Sequence, residues 1–296
     1  MTQGSDSKQQ VKPGVESQLP LGKLSEYVDT YKPQLLCPIA RHLSRNDLGV
    51  LGQELPFNGV DIWNAYELSW LNAKGKPVAA MAQFYFPCES ASIIESKSFK
   101  LYLNSLNQTR FEDLNQLTRT VKSDLSEVAG AAVELKVTVA EHWRAERLGE
   151  LTGECLDDLD IRVEHYKPEP DLLSCVDHND APVQEQLYTH LFRSLCPVTA
   201  QPDWASVSIE YQGPAIKRQG LLAYLIAYRQ HQGFHEQCVE QIFLDILARC
   251  KPSELTVYAH FVRRGGLDIN PYRSTSMENF PSLGSPKPPY IRLPRQ

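Results

Sequence analysis

Apolar positions along this chain of 296 residues follow two spacings, and the same succession of the two occurs twice. From Tyr66 to Phe86, two alternating runs flank Asn72-Ala73-Lys74-Gly75, which predicts a β-hairpin. FEDLNQLTRTVKSDLSEV then sets Phe111, Leu114, Leu117, Val121, Leu125 and Val128 at helical intervals, with acids in the first turn. AVELKVTVAE alternates as a strand. The second succession has ASVSIEYQ as a strand, a helix from Leu221 to His231, a longer helix from Phe234 to Cys250 and LTVYAHFV as a strand. In that longer helix Phe234, Cys238, Ile242, Ile246 and Cys250 form one stripe. Between the two, VQEQLYTHLFRSL places Leu187, Leu191 and Leu195 four apart. This spacing predicts a helix that ends near Pro197 and leaves Cys196 at its exit.

The successions align at Phe111-Glu112-Asp113 and Phe234-His235-Glu236, which lie 123 residues apart. Only the first copy carries ESKSFK, Glu95 to Lys100, and only the second is preceded by LCPVTAQPDW, Leu195 to Trp204. The chemically interesting residues are therefore divided between the copies, which predicts one site assembled from both. A repeat of this length favours two domains. The expected division is a disordered arm over 1–20, an N-terminal module over 21–170 carrying ESKSFK, and a C-terminal module over 171–296 carrying Cys196. The arm is rich in Gln, Ser, Lys and Pro and has no periodicity. Strands flanking paired helices predict an α+β fold, with antiparallel sheets and helices on one face, rather than a parallel doubly wound sheet.

Composition narrows the setting. A hydrophobic fraction of 42% and a charged fraction of 22%, with no long apolar run, are those of a soluble globular chain without a membrane span. The first residues lack the basic and apolar regions of a secretory signal, and seven cysteines without a CxxC pair argue for reduced thiols. The expected compartment is cytoplasmic. A net charge of −6 gives no footprint for direct nucleic-acid binding. Lys97 with Lys100 and Arg263 with Arg264 suit a small phosphorylated ligand instead.

Several residues admit both a chemical and a structural reading. Cys196, with Asp203 seven residues on and His235 in the next module, has the company of an activated nucleophile; it also fits a small core hydrophobe. Cys37, in the similar LCPIA, lies out of register with the repeat. Glu236 is either a solvated acid in a first helical turn or an acceptor for the amine and ring N–H groups of a heterocycle. His235 is either a polar ligand contact or a satisfied core histidine. With His231 and Cys238 it mimics a zinc cluster, but its alignment with the Phe-Glu-Asp of the other copy argues for no metal. Ser96 or Ser98 reads as a helix N-cap, or as part of a phosphate cradle of free N–H groups with Lys97. Arg263-Arg264-Gly265-Gly266 ends a strand and permits close approach of a ligand. No GxGxxG or Walker loop is present, so a nucleotide would not be held in the Rossmann manner.

Together, ESKSFKLYLNS, LCPVTAQPDW, GFHEQCVEQIF and FVRRGGLDINPYRS resemble the NADPH-dependent 7-cyano-7-deazaguanine reductases, the nitrile reductases of queuosine biosynthesis, in their long two-module form. The resemblance runs from about Leu21 to Arg292. It implies a tandem pair of tunnelling-fold modules acting as a homodimer, and reduction of the substrate nitrile to an aminomethyl group. By it, Cys196 would form a covalent thioimide and Asp203 would donate protons. Ile94, Glu95, Ser96, Phe234, His235 and Glu236 would hold the deazaguanine, while Ser96, Lys97, Arg264 and Gly265 would hold NADPH. Other readings of the residues are a zinc hydrolase of the cyclohydrolase kind, using His231, His235 and Cys238, and a purine-binding module without catalysis.

Overall fold

Long alternating runs closed by tight turns build the frame of the molecule. The structure is a computed structural model that describes residues 27–51, 54–143, 148–176, 181–276 and 292–296, so the arm expected over 1–20 lies outside the described residues. In chain order the elements are β1 (Pro38–Ala40), α1 (Arg41–Asp47), β2 (Asn58–Leu71), β3 (Pro77–Pro87), β4 (Ser92–Ile94), α2 (Ser96–Ser105), α3 (Leu114–Ala129) and β5 (Glu134–Val139). They continue with β6 (Glu154–Cys155), β7 (Val183–Leu195), β8 (Pro202–Gly213), α4 (Arg218–Ile226), α5 (His235–Cys250), β9 (Glu254–Phe261) and β10 (Leu267–Ser274). Eight strands form one sheet in the order β5-β3-β2-β10-β9-β8-β7-β6, and β1 pairs separately with β4. All neighbours are antiparallel except β6 on β7. The fold is mixed α and β with antiparallel pairing, as the spacing predicts.

The internal repeat is visible in the elements. The starts of β2 and β7, β3 and β8, α2 and α4, α3 and α5, and β5 and β9 lie 125, 125, 122, 121 and 120 residues apart. Even an irregularity repeats: the β2–β3 register shifts between Ala65 and Leu68, and the β7–β8 register shifts 124 residues later, between Thr189 and Phe192. Such bulges bend a strand and add twist. Both hairpins are therefore shaped by the same device.

Two predictions fail: Glu112 and Asp113 precede α3 instead of occupying its first turn, Asp113 standing at the N-cap, and a predicted helix is a strand. Val183–Leu195, whose leucine spacing predicts a helix, is strand β7. A spacing of four is also twice the strand period of two, so three leucines cannot separate the readings. Burial separates them: Leu187, Thr189, Phe192 and Ser194 are inward, and Leu191 is exposed because the bulge reverses the alternation. Tyr188, Thr189 and Phe192 also favour a pleated surface. Cys196 accordingly follows a strand rather than a helix.

Apolar side chains fill two clusters, and the helices of both halves cover one face of the sheet. Trp63, Phe84 and Phe86 pack with Phe99 of α2 and with Leu117, Val121 and Leu125 of α3. Phe192, Val207, Ile209 and Val257 pack with Leu221 and Leu225 of α4 and with Val239, Ile242 and Ile246 of α5. Strand β10, from the end of the chain, pairs with β2 over eight residues and joins the halves into one sheet.

Beneath that junction lies a buried ion cluster. Asp61 of β2 accepts from Arg41 Nη2 at 2.5 Å and Arg273 Nη1 at 2.7 Å. Glu240 of α5 accepts from Arg45 Nη2 and Arg273 Nη2, both at 2.8 Å. All five side chains are buried. Burial alone would push both carboxyls up, but the guanidinium charges outweigh it and hold them below their ordinary range. Gly59 leaves room for the cluster, since a Cβ there would lie 2.6 Å from Arg273 Cδ. Removing one member of such a cluster strands charge in a dry interior. Arg273→Met is therefore expected to lower unfolding free energy by about 3–5 kcal/mol in urea titration. Removing the exposed Arg249–Asp171 pair should cost under about 1 kcal/mol; equal effects would contradict this assignment.

Candidate active site

A cavity of about 270 Å³ opens where the two halves meet, and both contribute to its walls. Ile94, Glu95, Ser96, Lys97, Cys196, Asp203, Phe234, His235, Glu236, Arg264 and Gly265 all line it. These residues, drawn from motifs far apart in sequence, are brought to one place within one chain, whereas Ser98, His231, Cys238 and Arg263 are not among the cavity's lining. Trp63, Ile93, Lys100, Pro197, Gly233, Val262, Leu267 and Ile269 complete the wall. Trp63, Leu267 and Ile269 also belong to the N-terminal core, so in sequence nothing marks them off from other strand residues.

The β7–β8 hairpin brings the thiol and the carboxylate together. Ser194 faces Asp203 and Leu195 faces Pro202 across the ladder, and Cys196 begins the connecting turn. The turn is closed by Ala200 N–H donating to Cys196 O at 2.9 Å and Cys196 N–H donating to Gln201 O at 2.8 Å. Ala200 sits in the left-handed region with φ 53°, which costs a residue with a Cβ about 1–2 kcal/mol. A spacing of seven residues in sequence is, in space, the width of a hairpin turn.

The ESKS segment is positioned by β1 and β4. Pro38 pairs with Ile94, Glu95 N–H donates to Cys37 O at 2.9 Å, and Cys37 N–H donates to Ser98 Oγ at 3.0 Å. The out-of-register LCPIA thus serves as a brace for this wall. Glu95, not Ser96 or Ser98, caps α2: its carboxylate accepts from Lys97 N–H at 3.0 Å and Ser98 N–H at 2.7 Å. The expected cradle of free N–H groups is corrected accordingly, because the protein's own carboxylate occupies two of them. Burial drives the Glu95 carboxyl above its ordinary range, against the pull of those two N–H groups and the Lys97 charge.

The other wall is the start of α5. Phe234 is the N-cap position and His235 and Glu236 follow in the first turn. The His235 ring stacks on Phe261, with centroids 3.7 Å apart and planes 6° from parallel, and its Nε2 lies 3.4 Å from Asp203 Oδ2. Arg264, after β9, donates from Nη1 to Asp203 Oδ1. Burial opposes ionisation of Asp203, but hydrogen bonding and charge from His235 and then Arg264 prevail, holding its pKa below the usual value. Asp203 is therefore a carboxylate at neutral pH. Glu236 behaves oppositely. It is buried, its Oε1 has no partner among the described residues, and burial together with the charge of Asp61 pushes its pKa up to about 7.

Two structural readings hold elsewhere. Cys238 and Cys250 are buried on the apolar stripe of α5, and burial first of all pushes each thiol up to about 12. His231, His235 and Cys238 do not bring donor atoms within 4.8 Å of one another among the described residues, so the zinc arrangement read from their spacing does not form. Of the basic residues, Lys100 pairs with Glu67 and Arg263 lies over the Tyr66 ring at 4.4 Å.

The arrangement offers a thiol and an ionised carboxylate on one cavity wall, two further buried acids facing the same space, and cations at the rim. Comparisons with known proteins agree on what such a chain is. Residues 27–137 match the family model described as "Nitrile reductase, 7-cyano-7-deazaguanine-reductase N-term", and residues 202–279 match the model described as "QueF-like protein". A protein of Desulfotalea psychrophila named NADPH-dependent 7-cyano-7-deazaguanine reductase is 52% identical over 91% of this chain and 97% of its own. One of the same name from Chromobacterium violaceum is 54% identical over 86% of this chain and 91% of its own. The crystal structure of an archaeosine synthase QueF-Like in the apo form is 17% identical, covers 34% of this chain and 99% of its own, and has a TM-score of 0.29. The chain belongs to the 7-cyano-7-deazaguanine nitrile reductase family.

The raised pKa of Glu236 has a measurable cost. As pH rises past the ordinary value of 4.5 the unfolded chain ionises first, so stability is lost between there and the folded value near 7. Glu236→Gln should leave the urea midpoint unchanged at about pH 4 and raise stability by on the order of 2–3 kcal/mol at about pH 8. A destabilised variant at the higher pH would show instead that the carboxylate is well paired.

Proposed function

We propose that this chain reduces the nitrile of 7-cyano-7-deazaguanine to an aminomethyl group with NADPH, in queuosine biosynthesis. The observation that carries the site assignment is the convergence of Cys196, Asp203, Glu95 and Glu236 on one cavity within a single chain. Glu95 and Glu236 are acceptors suited to the amine and ring N–H groups of the deazaguanine, and Oε1 of Glu236 has a place to fill. Ile94, Ser96, Phe234 and His235 border the ring.

Cys196 is the nucleophile. Its sulfur adds to the nitrile carbon; an S–C bond forms and the C≡N bond becomes C=N. Asp203, held ionised by Arg264 and His235, takes the thiol proton and passes it to the nitrogen, which gives a thioimide. The carboxylate thus serves as acceptor before it serves as donor. NADPH, when bound, supplies two hydrides in succession to that carbon. Between the two hydrides the C–S bond breaks, Cys196 leaving as thiolate and the carbon becoming an imine; two protons taken from solvent by way of Asp203 then complete the amine and restore the thiol. The residues present suit a phosphorylated cofactor: Ser96, Lys97 and Arg264 stand at the cavity, and a Cβ at Gly265 would meet nothing within 4 Å, so a ligand can approach that backbone closely.

The repeated order of two strands, two helices and a further strand supports a reading as tandem tunnelling-fold modules over 21–170 and 171–296. A homodimer in the cytoplasm, with no direct nucleic-acid partner, completes it. No helix among the described residues is long and apolar enough to cross a membrane.

Incubation with the cyano compound should add its mass to a peptide containing Cys196, and Cys196→Ala should abolish the adduct with an unchanged circular dichroism spectrum. Full turnover through an unmodified Cys196 would reject the covalent route. Asp203→Asn should slow adduct formation by about 10²–10⁴-fold, the usual worth of a positioned proton acceptor. An adduct formed at the unaltered rate would remove Asp203 from that step.

A further inference from the structure

Three side chains of metal-binding type converge at the edge of the sheet, and none of them lines the cavity. Cys155 ends β6, Asp157 follows it, and His190 lies on β7; one donor atom from each is within 4.8 Å of the other two. The backbone sets this approach. Cys155 is in register with Tyr188, and Leu156 N–H donates to Tyr188 O at 2.9 Å. Gly153 makes it sterically possible, because a Cβ there would stand 2.1 Å from Gln186 O.

Each donor is braced from behind. The Asp157 carboxylate accepts from Thr189 Oγ1 at 2.5 Å and from His190 N–H at 3.1 and 3.2 Å. Ser206 Oγ lies 2.7 Å from His190 Nδ1, and with the proton on Nδ1 the lone pair of Nε2 is the one that can ligate. Cys155 is held through its backbone, in register with Tyr188 on the parallel ladder. Metal-binding histidines and carboxylates are commonly held by such outer partners. Cys155 is exposed, so an ion has a path from solvent.

A thiolate, an imidazole and a carboxylate together favour zinc-class ions over magnesium or calcium, which prefer oxygen alone. Donors around a tetrahedral zinc stand roughly 3.5 Å apart, so small side-chain rotations close the set and leave a fourth position for water. Two anionic ligands also neutralise a dication. We propose that Cys155, Asp157 and His190 form a site for a zinc-class divalent ion that pins the connection between the two halves to strand β7, next to the edge of the sheet. A two-residue parallel strand is a weak attachment, and the ion would reinforce it where the C-terminal module begins.

The probe is Co²⁺ added to the full-length, chelator-stripped protein. One ion per chain should give a thiolate-to-cobalt charge-transfer band that Zn²⁺ displaces. The band should vanish in Cys155→Ser and persist in Cys196→Ala, and Ser206→Ala, which leaves the three donors intact, should bind about 10–100-fold more weakly. Absence of stoichiometric binding would overturn the proposal. So would a band that survives Cys155→Ser, or one lost with Cys196→Ala, which would make the cavity thiol the ligand.

Discussion

Three guanidiniums and two carboxylates sealed beneath the sheet are the constraint on which the site depends. Apolar contacts tolerate sliding; a buried carboxylate deprived of its guanidinium does not. Glu240 fixes the rotation of α5 through Arg45 and Arg273, and Glu236 lies one turn earlier on the same face of that helix. Arg41, which holds Asp61 from the start of α1, follows directly on β1, and β1 pairs with β4 immediately ahead of Glu95. The two acids that face the cavity from opposite halves are therefore each one step from the same cluster. Strand β10 brings Arg273 beneath the junction, so the joint between the two halves of the sheet and the aim of the site are one arrangement.

Much of this was legible locally, and what was not has physical reasons. The hairpin around Asn72 to Gly75 and the helices α3 and α5 follow from turn residues and apolar spacing, and the repeat predicts their order. Strand β7 was hidden because a spacing of four fits both periods and a bulge moved Leu191 outward. The Glu95 cap was hidden because serine is the commoner capping residue, while here the chain entering from β4 turns a glutamate onto the helix end. Arg41, Arg45, Asp61, Glu240 and Arg273 lie far apart along the chain and have no shared local pattern. Only the topology assembles them. Motifs gave the members of the site, and the fold gave their partners: Arg264 and His235 on Asp203, Phe261 beneath His235.

The two halves share an order of elements and differ in the features that make a site. Where α2 begins with Ser96 after the Glu95 cap, the matching helix α4 begins with Arg218 after Lys217, and Arg218 pairs with Glu154 and Glu185. Two residues on, Gly220 is pressed so closely on Leu172 O that a Cβ would sit 2.3 Å from it. In the first copy, Glu112 and Asp113 are exposed and Asp113 caps its own helix, whereas their counterparts His235 and Glu236 are turned toward the cavity. Each half has kept one wall and closed the other. Complementary differences of this kind leave one cavity with both walls, each supplied by a different half.

Environment also separates the roles of the carboxyls. Asp203, between a guanidinium and an imidazole, is held anionic, while Glu236, buried and repelled by Asp61, is pushed up to about 7. On the proposed reading that separation is functional. A thiol needs a base already ionised beside it, and Asp203 meets that need before substrate arrives. Glu236 needs partners that the folded chain alone does not give, and the N–H donors of a deazaguanine would supply them. Its ionisation would then be completed by binding, so that part of the affinity for the heterocycle is spent on charging a group the empty fold keeps half neutral. The instability stored at Glu236 and the recognition of the base are, in this view, two consequences of one desolvated oxygen.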